Sequence, residues 1–240
     1  MAARPQNDDA THDLMHLLLA CSSLTAFLPA LAERTHRRLA ALGTHDCALV
    51  LRRRNRPAIT GASSEALAAV VEERLSDDDQ RLAAALERSQ LTIEPRLPAS
   101  WTSGMAWGVD AGLLVVPAPA GSSAAAALAV VGTDPVDDDA RRTLLAAVGR
   151  VRNQASWALQ LAVRLSDWNE LAEHRAQAMQ NRTVIDVAIG VIMAQSRCSA
   201  AEAFDVLRRA SNNRNVKLHT VAAELVQRIH PALPETAFSE

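Results

Sequence analysis

Residues 207–222, LRRASNNRNVKLHTVA, gather the residue types that bind anions. They carry Arg208, Arg209, Arg214 and the chain's only lysine, Lys217, beside Asn212, Asn213, Asn215, His219 and Thr220. From Ser196 to Thr220 five cations stand against Glu202 and Asp205 alone, in a chain whose net charge is -2. Such a stretch is either a solvated turn or a surface that meets an anion, to which it is drawn in a salt-dependent way. Guanidinium and ammonium groups would supply the charge, and the amides, imidazole and hydroxyl would supply directed hydrogen bonds. Arg182 and Arg197 stand further out as additional cationic contacts. The competing use of Arg208 and Arg209 is pairing with Glu202 or Asp205 along one helix. A second basic run, Arg52-Arg53-Arg54-Asn55-Arg56, falls in a hairpin turn and reads as an exposed loop.

Other chemistry finds little support. Cys21, Cys47 and Cys198 are isolated, with no paired-cysteine or histidine spacing for zinc, so no metal site, disulfide framework or cofactor is expected. His45 and Cys47 are the nearest approach to a nucleophilic pair, but no third group or phosphate loop accompanies them, so no catalytic residue is assigned and the chain reads as a non-enzyme. Aromatics make up 3% of the residues, with no tyrosine, which argues against a site built from stacked rings. The start lacks an apolar signal core and no run reaches the roughly 20 apolar residues that span a bilayer, so a cytoplasmic protein without membrane contact is expected. Residues 1–12 and 231–240 read as disordered tails, the second including the sortase-like string Leu233 to Ala237.

Prolines and glycines punctuate the chain up to Pro135, and the next proline is Pro231. The chain therefore divides near that point into a mixed part and a helical part. In the first, the leucine pattern from Asp13 to Leu42 predicts a helix kinked or divided at Pro29. Cys47–Leu51 and Ala58–Thr60 read as a hairpin, and Leu113–Val116 and Ala124–Val131 as adjacent antiparallel strands. Between them lie short helices capped by Ser63 and Ser76. Asp137-Asp138-Asp139 opens a further helix, whose positive end acids suit. The order predicts an α+β domain with a small antiparallel sheet covered by helices. On the hairpin, the GVDAGLLVVPAPAGSSAAAALAVVGTDP segment and the acidic helix start, residues 13–143 resemble a GAF domain of the actinobacterial regulator type. That resemblance implies a sensory domain taking a small-molecule or protein signal.

From Leu144, apolar residues at Val148, Val151, Ala155, Ala158, Ala162, Leu165, Trp168, Ala172 and Met179 step by three and four. This predicts a linking coiled-coil helix over 144–180, part of a helical run of about fifty residues that would extend roughly 75 Å. A seam that long needs cover. Pairing with a second copy through Trp157, Leu161, Leu165, Trp168 and Ala172 supplies it, giving a homodimer; packing on the chain's own domain is the alternative.

Residues 181–230 divide into three helices. Val184, Ile185, Ala188, Ile189, Ile192 and Met193 share one face; Ser199 and Glu202 form a capping box; Ala203, Phe204, Val206 and Leu207 are expected to face inward. Asn212, Asn213 and Asn215 suit a turn, and the last helix packs Leu218, Val221, Ala222, Leu225, Val226 and Ile229. Ala188, Gly190, Ala203 and Ala222 would let the helices approach closely. This pattern resembles an ANTAR domain, the three-helix output module of transcription antiterminators, although Ile189 stands where many members have lysine. The resemblance implies that paired domains bind stem-loops in nascent leader mRNA and prevent a terminator from forming. Arg182, Arg197, Arg208, Arg209, Asn212, Asn213, Arg214, Lys217, His219 and Thr220 are the residues expected to meet RNA. A DNA-binding transcriptional regulator with a helical output domain is the alternative, since three short helices and a basic turn also suit a helix-turn-helix.

Overall fold

The computed structural model describes residues 6–102, 107, 111–135 and 137–229. The leucine-rich start forms two helices, α1 (Gln6–Ala20) and α2 (Leu24–Leu39). They divide at residues 21–23 and not at Pro29. The Ser23 hydroxyl caps α2 by accepting from the Ala26 amide at 3.2 Å, whereas Pro29 removes a single helical donor and is carried inside the helix. Residues 6–12, which read as disordered tail, are helical; residues 1–5 and the tail 231–240 lie outside the described residues.

Gly43, with φ at 84°, turns the chain out of a short 3-10 turn into the hairpin β1 (Thr44–Arg53) and β2 (Ile59–Ala62). The helices α3 (Glu65–Ser76) and α4 (Gln80–Arg88) follow, capped by Ser64 and Asp79. The expected cap Ser63 is engaged elsewhere: its hydroxyl donates to Asp46 at 2.6 Å and accepts from the Cys47 amide at 2.9 Å. After β3 (Thr92–Glu94) and α5 (Ala99–Thr102) come the two expected strands, β4 (Ala111–Pro117) and β5 (Ala124–Thr133). The sheet order is β2-β1-β5-β4-β3, with every neighbour antiparallel.

Alternation along the strands sorts the sheet into two apolar faces. One, with Cys47, Leu49, Leu51, Leu128 and Val130, packs against Leu28 and Leu31 of α2 and Leu14 of α1. The other, with Val50, Leu113, Val115, Ala127 and Ala129, packs against Leu67, Val71, Leu82 and the fully buried Trp101. Burying each large side chain of this kind contributes about 1.5–3 kcal/mol. At Gly61 the helix α2 lies directly on the strand, because a Cβ there would come within 2.3 Å of the Leu28 and Pro29 backbone.

The helix α6 (Asp138–Ser196) runs 59 residues without a break. Asp137 accepts from the Ala140 amide at 3.0 Å, so the acidic triplet starts the long helix itself and not a separate one before Leu144. Val148, Val151, Ala155, Ala158 and Ala162, read as part of a pairing seam, are buried against the chain's own sheet, together with Leu159 and Val163. The physical reason is that the sheet face needs a cover, and a stripe of small residues lets a helix lie close upon it. Arg152 Nε donating to the Pro117 carbonyl at 2.6 Å and Gln160 Nε2 to that of Pro119 at 3.2 Å fasten it there. Of the five expected pairing residues, Leu161 packs partly against this core, while Trp157, Leu165, Trp168 and Ala172 are exposed.

The chain forms two compact units, residues 1–167 and 168–240. In the second, the remainder of α6 packs with α7 (Ala200–Arg214) and α8 (Leu218–Ile229) around Ala188, Ile192, Ala203, Leu207, Val221, Ala222 and Val226. Among the described residues no single helix is long and apolar enough to cross a membrane.

Candidate nucleic-acid interface

The second unit is built by local chemistry at its two corners. Arg197 leaves α6 in the left-handed region at φ 51°, its amide donating to the Met193 carbonyl at 2.9 Å. Ser199 then starts α7 through the expected capping box: its hydroxyl accepts from the Glu202 amide, and the Glu202 carboxylate accepts from the Ser199 amide at 2.8 Å. These bonds hold the Glu202 carboxyl below its usual range, the backbone one most. At the other end Asn215 ends α7 in the left-handed region at φ 50°, a conformation asparagine tolerates better than most residues. The Ser211 hydroxyl donates to the Val216 carbonyl at 2.6 Å and fixes the exit, after which α8 begins.

The core explains which side chains are left outside. Ala188, Ala203 and Ala222 are fully buried, so the helices meet closely at three alanines. Gly190 has no part in this, since a Cβ there would meet nothing within 4 Å. Met193 and Ile229, expected inside, are exposed, as are Phe204 at 39% and Val206 at 42%. A 100° step per residue puts Ala203, Leu207 and Ala210 on one side of α7 and leaves Phe204 and Val206 flanking it. Phe204 therefore stands one helical turn before Arg208 on the surface, where the sequence placed no aromatic ring. Ile189 packs partly against the core.

The same geometry sorts the candidate RNA-binding residues. Arg208 with Asn212, and Arg209 with Asn213, are exposed pairs four apart on the outer side of α7. Arg214 falls on the core-facing side and reaches α8, donating to both Glu224 oxygens at 2.6 and 3.0 Å. Each partner stabilises the other's charge: the Arg214 pKa is raised and that of Glu224 lowered, in both cases chiefly by this hydrogen bond. Lys217 is exposed and His219 and Thr220 are half-buried at the start of α8. These eight residues lie on the last two turns of α7, in the turn that follows and at the start of α8, the corner between the two helices. Arg197 sits at the opposite end of α7, roughly 20 Å from Arg214 along that helix, and Arg182 lies on α6, about 20 Å along it before its end at Ser196.

Ion pairs occupy some of the cations. Arg208 meets Asp205 at 2.8 Å and Arg182 meets Asp186 at 3.9 Å. Arg209 donates to the Asp205 carbonyl at 3.3 Å. Among the described residues no carboxylate lies within ion-pair reach of Arg197, Arg209 or Lys217. Exposed pairs of this kind are weak, so a phosphate can displace the carboxylate at little cost. Glu224 carries no signal in local sequence, since it lies ten residues from Arg214 across a turn.

The first unit holds the remaining chemical candidates, His45 and Cys47. Cys47 is fully buried and its surroundings push the thiol well above its usual range, chiefly through desolvation, while His45 Nε2 lies 3.1 Å from the Thr133 hydroxyl. Arg52 pairs with Glu87 and Arg53 with Asp167, so part of the basic hairpin run is engaged within its own unit.

Residues 173–226 match the ANTAR domain family, a span that contains the whole basic corner. No curated protein matches the chain. Among solved structures the chain is similar to the N-acylhomoserine lactone dependent LuxR family transcription factor CepR2 from Burkholderia cenocepacia, at 18% identity over 67% of this chain and 99% of that one, with a TM-score of 0.45. It is also similar to the A. aeolicus nlh2 GAF domain in an inactive state, at 9% identity over 64% and 95% of the two chains, with a TM-score of 0.41. Escherichia coli SdiA aligns over 95% of this chain and 100% of its own, at 10% identity and a TM-score of 0.37.

Proposed function

We propose that this protein is an RNA-binding transcription antitermination regulator, whose C-terminal units act in pairs on stem-loops of nascent leader transcripts. The observation that carries this reading is the coincidence of the ANTAR match at residues 173–226 with an exposed basic corner inside the same span. Phosphates of a folded stem would be neutralised by Arg208, Arg209, Arg214 and Lys217, which position the RNA without reading it. Sequence is read where loop bases are unstacked, and Asn212, Asn213, His219 and Thr220 offer donors and acceptors for their edges. Phe204 adds a ring on which a splayed base can stack, one turn from Arg208. A stem-loop held in this way cannot exchange strands with a competing terminator. Arg182 and Arg197 would serve as outer phosphate contacts.

The N-terminal unit is then the regulatory partner, and α6 is the covalent connection through which a signal there would reach the RNA-binding helices. The duplex-DNA alternative draws on α7 and α8 being joined by only three residues, Asn215 to Lys217. The test is binding of stem-loop RNA, selected by crosslinking in the native cell, to the full chain and to a variant with Arg208, Arg209, Arg214 and Lys217 all changed to glutamine. With its helical signal and thermal midpoint retained, the variant is expected to lose stem-loop capture. The slope of log affinity against log salt should flatten by roughly three, at about 0.7–0.9 per lost contact. Undiminished capture, or competition by duplex DNA as strong as by the stem-loop, contradicts the proposal.

A further inference from the structure

Between Asp46 and Glu65 the chain carries four arginines and no carboxylate, and from residue 111 to 133 it carries no charged residue. The fold puts these two stretches side by side. β1 pairs with β5 as far as Arg53 opposite Ala124, and the Arg54 amide donates to the Ser123 carbonyl at 3.2 Å, so the tip of the first hairpin is fastened to the turn that enters β5. Alternation along β1 sends successive arginines to opposite faces at the end of the sheet. Arg52 reaches Glu87 of α4 at 3.1 Å, and Arg53, its side chain 12% exposed, reaches Ser166 and Asp167 of α6 at 3.3 and 3.4 Å. Asn55, in the left-handed region at φ 59°, turns the chain back, and Arg54 and Arg56 before and after it are exposed.

An open groove of about 690 Å³ lies between this hairpin tip and residues Ser122 to Ala125. Among the described residues that line it, four guanidinium groups stand against the Glu87 carboxylate alone, in a chain whose net charge is -2. Uncompensated positive charge in a concavity focuses the field and draws anions. The Arg52 and Glu87 side chains are 40% and 53% exposed, so their pair is weak and yields to a stronger acceptor. Guanidinium forks stay charged and match phosphate oxygens two at a time, and the exposed Ser122 and Ser123 add hydroxyl donors. The apolar share of the lining is Ala124 and Ala125, with no aromatic ring among the described lining residues, so neither a base nor an acyl chain has a seat there. A row of phosphates with its bases turned outward fits such a surface.

We infer that this groove is a second RNA-binding surface, which takes the phosphodiester backbone of a single strand through Arg52, Arg54 and Arg56 without reading its sequence. The choice of RNA as the polymer rests on the reading of the C-terminal unit; the preference for phosphate rests on the groove alone. The test uses the full chain with Arg208, Arg209, Arg214 and Lys217 already changed to glutamine, so that the C-terminal corner no longer contributes. Fluorescence anisotropy with a labelled oligouridylate of about 20 nucleotides, which forms no stem-loop, is expected to show saturable binding at low salt. Adding Arg52→Gln with Arg54→Gln should weaken it about tenfold and flatten the slope of log affinity against log salt by about 1.4, at roughly 0.7 per lost contact. Arg37→Gln with Arg88→Gln removes the same charge from exposed positions elsewhere in the unit and should leave the affinity unchanged. If the hairpin pair lowers the thermal midpoint, Ser122→Asp with Ser123→Asp, exposed and outside the strands, serves instead as the blocking change. Absence of saturable binding overturns the inference, as does binding that survives a folded hairpin or blocking variant, or an equal loss in the Arg37 and Arg88 control. Displacement by polyglutamate as effective as by unlabelled oligouridylate would assign the groove to a carboxylate-bearing partner and overturn it too. The C-terminal reading fails separately: stem-loop capture undiminished by the four corner changes counts against it whatever the oligouridylate does.

Discussion

Arg214 has two roles, because its guanidinium both grips Glu224 and belongs to the proposed RNA-binding set. Its position on the side of α7 that faces α8 brings it within reach of a carboxylate there. The partner's identity depends on how the two helices cross, which spacing along the chain does not reveal. The Ser199 and Glu202 capping box, by contrast, was legible because its two members stand three apart and need no other element. Both glutamates have depressed pKa values, Glu224 through the Arg214 hydrogen bond and Glu202 through the Ser199 backbone and side chain. The sign follows: a carboxyl with a folded value below the unfolded one contributes stability that is fully present above the usual glutamate value of 4.5 and is lost as the pH falls through the lowered one. Thermal melts across an acid pH series should show the midpoint falling below that value, less steeply in Glu224→Gln. An identical acid slope in that variant would show that the pair does not act on stability.

At the scale of elements, the contacts that matter most are among the smallest. Ala188, Ala203 and Ala222 are each fully buried, one from each helix of the second unit. A larger side chain at any of them has no void to enter. Ala203→Leu is expected to destabilise the protein by about 1–3 kcal/mol, read as a shift of the denaturant midpoint at constant slope. An unchanged midpoint would mean that the helices separate freely at that point. The helices and strands themselves were largely visible in the pattern, down to the acidic start of α6 and the five apolar positions of β1. Misplaced boundaries came from competition between neighbouring candidates: Ser64 and not Ser63 caps α3, since Asp46 engages Ser63. Phe204 and Val206 were misread because an apolar residue next to a core position looks like core when only sequence is considered. Helical rotation places each to one side of the buried stripe.

Across the whole molecule, α6 is the element whose use the sequence left open. Its earlier apolar residues cover the sheet of the first unit, while Trp157, Leu165, Trp168 and Ala172 are left exposed. Trp168 is 67% exposed, and exposed Leu171 and Met179 continue the stripe. Pairing with a second copy through this stripe remains our proposal. Leu165→Glu with Trp168→Glu, both at exposed sites, should leave folding intact and convert a dimer to a monomer in sedimentation velocity. A wild-type chain that sediments as a monomer at tens of micromolar would refute it. The sequence by itself determined the α+β order, the three closing helices, the capping box and the basic corner. Each of these rests on interactions within a few residues, such as periodicity, caps and local charge. Only the tertiary structure decided which part of α6 the sheet claims and which carboxylate holds Arg214. Those depend on surfaces brought together from distant parts of the chain, and local pattern says which faces need a partner without saying which partner each one finds.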